Sequence, residues 1–169
     1  ISANTRGNGY EGTDITEHVK QFKNVPLTIP FKGTYIIDGE AVIKLDDFQS
    51  LTGLANPRNA ASGALNVLDT SVTKERHLSF VAWDVIEPND TNSFYRNLKK
   101  AEDLGFTIVP LLNNPVMTTI DEANQKIIDM AKEQLYPCDG VVWRYDNISF
   151  GKSLGMTSHA PRYAIAWKP

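Results

Sequence analysis

Four short segments of the 169-residue chain carry ionisable side chains inside runs that otherwise read as strand or tight loop. They are Thr5-Arg6-Gly7-Asn8-Gly9, Asp38-Gly39-Glu40, Asp139-Gly140-Val141-Val142-Trp143-Arg144 and Ala164-Ile165-Ala166-Trp167-Lys168. A charge inside a buried strand is costly unless paired, so each segment faces either solvent or a polar ligand. Taken singly, solvation explains each of them. Taken together, with glycines beside several that let a ligand approach the backbone, they point to a pocket for a polyanion.

Regular elements must bring these segments to one place. Helix and strand signals alternate irregularly, with no internal repeat, low-complexity tract or linker, which argues for α/β or α+β architecture. Asp14-Ile15-Thr16-Glu17 predicts a capping box, with Ile15, Val19 and Phe22 on one helical face. The Tyr, Ile and Val of Thr34 to Leu45 predict a strand, interrupted at Asp38-Gly39, and the small residues from Asn56 to Leu68 a short, closely packed helix. Leu78 to Ile86 reads as a strand buried on both faces. Phe94, Leu98, Ala101 and Leu104 mark a helix stopped by Gly105, followed by a strand from Phe106 to Val109. Thr119 with Glu122 opens a helix whose stripe is Ile120, Ala123, Ile127, Ala131 and Leu135. Two closing strands are expected at Gly140 to Tyr145 and Tyr163 to Lys168.

Composition bounds the function. With 41% hydrophobic and 22% charged residues the chain is an ordinary globular domain, and no apolar run approaches the roughly 20 residues of a membrane span. Its single cysteine, Cys138, excludes an internal disulfide or a four-cysteine zinc site within these residues. A reducing cytoplasm is the expected setting. The net charge of −3 and pI of about 5.6 lack the basic surplus of a domain that grips duplex DNA alone. A start without Met, basic stretch or apolar core reads as part of a longer polypeptide.

The residues also match a family pattern. TRGDGxxGEDVT stands here as Thr5-Arg6-Gly7-Asn8-Gly9 and Glu11-Gly12-Thr13-Asp14-Ile15-Thr16. ANPRNAAxGxL is Ala55 to Leu65, DGVV is Asp139 to Val142, and TSRAPRxAIAxK is Thr157 to Lys168. In these four motifs, in order and from end to end, the chain resembles the nucleotidyltransferase (adenylation) domain of bacterial-type NAD-dependent DNA ligases.

The resemblance implies an α/β (α+β) fold of the DNA ligase and mRNA-capping nucleotidyltransferase kind, with antiparallel sheets, flanking helices and a nucleotide cleft between sheets. Residues 1–169 would form a single partial domain. A nicotinamide-binding segment, an OB-fold and zinc, helix-hairpin-helix and BRCT modules would lie outside it. The implied reaction attaches AMP from NAD to a lysine, moves it to the 5′-phosphate of a nick, and displaces it by the 3′-hydroxyl, with Mg²⁺ assisting. Arg6 would contact the nucleotide around ribose and phosphate, and Glu40 would accept from ribose hydroxyls. Arg144 and Lys168 would surround the α-phosphate, with Asp139 supporting them. Val142 joins the nucleotide-binding set, and Trp83 falls at an adenine-stacking position, although it also reads as a plain core aromatic. Arg58 would serve phosphates of nicked duplex DNA, and no residue is assigned to a metal. The expected partners are NAD or AMP, nicked DNA and the remaining ligase domains, with no membrane, for a monomeric cytoplasmic protein.

The departures are specific. The nucleophilic Lys-x-Asp-Gly motif does not occur in the sequence; Lys44-Leu45-Asp46-Asp47 lacks its glycine, so Lys44 reads as a solvated lysine at a strand end. Arg144 replaces a usual lysine, trading a point donor for a planar fork. Asn66 replaces an arginine, and Asp38-Gly39 replaces Arg-Gly. Alternative readings are an ATP-dependent nucleic-acid ligase, which the NPRNAA and TSHAPR segments oppose, and a degenerate, non-catalytic nucleotide- or DNA-binding module.

Overall fold

The computed structural model describes residues 1–113 and 119–169. In chain order its elements are α1 (Thr16–Val19), β1 (Ile36–Val42), α2 (Leu45–Gln49), α3 (Pro57–Leu65), α4 (Ser71–Glu75), β2 (Ser79–Glu87), α5 (Phe94–Asp103), α6 (Ile120–Glu133), β3 (Val141–Arg144), α7 (Ile148–Ser153) and β4 (Ala164–Trp167). Helices and small antiparallel sheets are thus mixed: β1 pairs with β2, and β3 with β4.

The expected strand at 106–109 is reduced to one parallel bridge, Ala82 to Ile108. Two hydrogen bonds fix it: Ala82 N–H donates to the Thr107 carbonyl at 2.8 Å, and Val109 N–H to the Ala82 carbonyl at 2.9 Å. Asn24 buttresses this edge, accepting from Phe80 N–H and donating to Phe80 O and Thr107 Oγ1.

Apolar side chains gather in two clusters along β2. Ile15, Val19, Phe22, Ile43, Leu78 and the alanines of α3 form one; Ala82, Val85, Leu98, Ala101 and Ile108 form the other, with Phe80 packed against both. Ala60, Ala61 and Ala64 are small enough for α3 to lie directly on β1, as the Ala-rich run predicts. At the start of α3, Asn56 Oδ1 accepts from Asn59 N–H at 2.8 Å, with Pro57 following.

Four local expectations are corrected. The Asp14–Glu17 capping box forms only in half: Asp14 Oδ1 accepts from Thr16 N–H at 2.9 Å, whereas Glu17 turns to Lys20. The β1 strand is not interrupted at Asp38-Gly39; the irregularity there is a bulge in its partner, β2. The β2 strand is buried on both faces only in its first half, since Trp83 and Ile86 are exposed. In α6 the Thr119–Glu122 capping box is present and Ala123 and Ala131 are buried, whereas Ile120 and Leu135 at the stripe's ends are exposed. Leu135 has left the helix, with φ of 61°, and its carbonyl accepts from Leu45 N–H at 2.8 Å.

Candidate nucleotide site

Between the two sheets lies a cleft of ≈ 2940 Å³, about three times the roughly 1,000 Å³ of a large small-molecule pocket, which makes it an open groove. Arg6, Glu40, Arg58, Trp83, Asp139, Val142 and Arg144 all line it. Lys168 stands at its edge, donating to Asp139 Oδ2 at 3.4 Å. Side chains distant in sequence and chosen for their chemistry therefore share one surface.

The exposure of Trp83 comes from register. Gly39 pairs with Ala82 and Asp38 with Asp84, which leaves Trp83 as the extra residue of a bulge. A bulge re-aims side chains, and Trp83 is 41% exposed, on the cleft instead of in the core. Gly39 is required opposite it, because an added Cβ would lie 2.4 Å from the Phe80 ring and 2.5 Å from the Val81 carbonyl. Gly140 has the same role in the second sheet, where a Cβ would sit 2.5 Å from the Trp167 carbonyl.

A line of charges crosses the cleft. Arg6 sits in a loop closed by Thr5 N–H donating to Thr13 O at 2.9 Å, with Asn8 Oδ1 accepting from Tyr10 and Glu11 N–H. Partial burial, reinforced by the facing charge of Asp84, raises the Asp38 carboxyl above its ordinary pKa, and the charge of Arg6 opposes that rise. Arg144 Nη1 donates to Asp84 Oδ2 at 3.2 Å, and the guanidinium carbon lies 3.6 Å from the Phe94 ring centre and 5.0 Å from that of Tyr163.

Glu40 projects from an exposed position of β1 and its Oε1 lies 3.6 Å from Nη2 of Arg58, in the first turn of α3. Both are more than half exposed, as are Asp139 and Lys168, so neither pair holds its members tightly. Val142 is 64% exposed and offers the groove an apolar surface. Lys44, expected as a solvated lysine at a strand end, is half-buried at the N-cap of α2, 5.3 Å from the Tyr136 ring centre.

Sequence reasoning did not name Asp84, Phe94 or Tyr163 as site residues. Asp84, a charge in an otherwise apolar strand, carries the same local mark as the four segments, whereas Phe94 only continues a helical stripe. A further cavity of ≈ 260 Å³ lies by Phe31, Tyr35, Val85 and Pro88, with the Lys100–Asp90 ion pair beside it.

Among the described residues no three His, Cys, Asp or Glu side chains gather to hold a metal ion. Of the carboxylates that line the groove, Asp139 faces Lys168 and Glu40 faces Arg58, Asp146 accepts from Ser93 Oγ and Tyr95 N–H, and Asp38 makes no ion pair among the described residues. These residues do not fit a dedicated Mg²⁺ cage. No helix among the described residues is long and apolar enough to cross a membrane.

The family model of the NAD-dependent DNA ligase adenylation domain matches residues 1–169, and the chain belongs to that family. It is 35% identical to a DNA ligase of Lachnoclostridium phytofermentans, over 99% of this chain and 27% of the relative. It is 37% identical to one of Coprothermobacter proteolyticus, over 99% and 28%, and 36% identical to one of Helicobacter pylori, over 99% and 27%. The chain thus spans only 27–28% of the length of these curated relatives.

Proposed function

We propose that the chain is the larger part of an adenylating nucleotidyltransferase domain, of the ligase and mRNA-capping kind, in an NAD-dependent DNA ligase. The whole protein would seal nicks in duplex DNA through lysyl-AMP and DNA-adenylate intermediates, acting as a cytoplasmic monomer with its remaining ligase domains. What supports this reading is the meeting of Arg6, Glu40, Trp83, Val142 and Arg144 on one groove, in a chain of this family.

In this reading the adenine of NAD lies against Trp83 and Val142, and a ribose hydroxyl donates to Glu40. Arg6, Arg144 and Lys168 face the phosphates, where a partly desolvated positive charge stabilises the negative charge that develops as nicotinamide mononucleotide leaves. Asp139 holds the Lys168 ammonium at the groove's edge, and Arg58 serves the phosphates of nicked DNA. The covalent step needs an uncharged amine in line with the leaving oxygen. These residues contain no Lys-x-Asp-Gly, and the Lys168 amine is directed at Asp139. Their part is therefore to bind and orient.

Titration of the chain with AMP and NAD, followed by tryptophan fluorescence and calorimetry, tests the reading. Weak binding of both, without strong preference and with quenching of Trp83, is expected. Tight binding of NAD that depends on its nicotinamide half contradicts it.

A further inference from the structure

Arg144 is more constrained than a phosphate-binding arginine in an open groove has to be. Its side chain is 15% exposed and that of its partner Asp84 17%. Nη1 is held by Asp84, and Nε is buried without a hydrogen-bond partner among the described residues. Nη2 is neither paired nor among the buried unpartnered atoms, so it is the part of the group that remains open. The rings of Phe94 and Tyr163 contact the guanidinium, and together with Asp84 they leave it little rotational freedom. An unconstrained guanidinium is a planar fork that grips an anion with two parallel N–H groups. Here one arm of that fork is already taken.

We propose that Asp84 is the positioning residue of Arg144: it occupies one arm of the guanidinium, so that the group offers the nucleotide groove a single fixed donor nitrogen instead of a mobile fork. This rests on the nucleotide reading of the groove. It makes Asp84 and Arg144 one unit, joined across β2 and β3, in which neither side chain works well without the other. A lysine at position 144 would be drawn onto Asp84 and away from the ligand. An asparagine at position 84 would release the fork.

The test uses the intact 169-residue chain, with AMP and adenosine as probes, so that the ratio of their Kd values isolates the phosphate contact. Asp84→Asn and Arg144→Lys are each expected to reduce the preference for AMP by about 3- to 10-fold, the range for one ordinary hydrogen bond weakened or misplaced. Asp84→Glu, which keeps the charge, should retain most of the preference. The double variant should lose clearly less than the product of the two single losses, because the carboxylate that would capture the new ammonium is gone. Independently of any ligand, the Arg144 Nε–H resonance should exchange slowly with water in the wild type and rapidly in Asp84→Asn. Single variants that leave the AMP preference unchanged, or a double variant that loses the full product, overturn the proposal. If neither probe binds the wild type, the nucleotide reading fails instead; the Nε–H signal then still decides, and slow exchange persisting in Asp84→Asn overturns the positioning role. Melting temperatures of all variants identify any that fail to fold, and Asp84→Ser replaces Asp84→Asn in that case.

Discussion

Trp83 is held on the groove by a one-residue mismatch between β1 and β2. Base–aromatic stacking is worth roughly 1–3 kcal/mol, so Trp83→Ala should weaken AMP and adenosine binding by that amount. Unchanged affinity, with AMP quenching the remaining fluorescence no less than before, would show that Trp83 does not stack on the base. Asp38 allows a second residue-level expectation. Its carboxyl titrates above the ordinary 3.8, burial being the larger cause and Asp84 the lesser. The folded state therefore holds the Asp38 proton more tightly than the unfolded state, and stability falls as pH rises from 3.8 through the raised value. Asp38→Asn removes that loss. It should raise Tm at neutral pH by no more than about 2–4 °C, the shift 1 kcal/mol makes in a chain this size, since the group is partly solvated. The gain should vanish below pH 3.8, and a lower Tm at neutral pH would show that attraction to Arg6 outweighs repulsion by Asp84. Arg6, Glu40 and Arg144 could be singled out in the sequence because each stands beside glycine or within a strand run. Asp84 carries the same mark, but its partners do not: they lie 60 residues along the chain or directly across a bulged ladder.

At the scale of elements, two helix starts with similar sequence signals behaved differently. Thr119 and Glu122 form a complete capping box, and Thr119→Ala should cost about 1 kcal/mol, seen as a Tm lower by about 2–4 °C. Glu17→Ala should be nearly silent by the same measurement, since Glu17 caps nothing and only pairs with Lys20 on the surface. A large loss at Glu17 and none at Thr119 would reverse this account. The periodic signals that survived are those of α5, the middle of α6 and the β3–β4 pair, whose helix caps and ladder are formed. Those that failed met another partner: Lys20 for the Glu17 carboxylate, and Ala82 for the short 106–109 segment. The Asp38-Gly39 break was legible as an irregularity but not as a bulge, because register depends on the partner strand.

For the whole molecule, net charge limits what the chain does alone. At −3, with Arg58 already beside Glu40, binding to nicked duplex should be feeble and steeply salt-dependent. Fluorescence anisotropy giving sub-micromolar affinity at physiological salt would contradict that. Incubation with adenylate-labelled NAD and Mg²⁺ should leave no acid-labile, lysine-linked label on these residues; mass spectrometry finding AMP on Lys44 or Lys168 would show a nucleophile here after all. The central claim is that adenine lies in the groove between the two sheets, and photolabelling with 8-azido-AMP tests it most directly. Peptide mapping should place the label on the stretches containing Trp83 and Val142, with excess AMP competing it away. Label confined to the stretches containing Phe31, Tyr35 and Pro88, at the smaller cavity, would contradict the account.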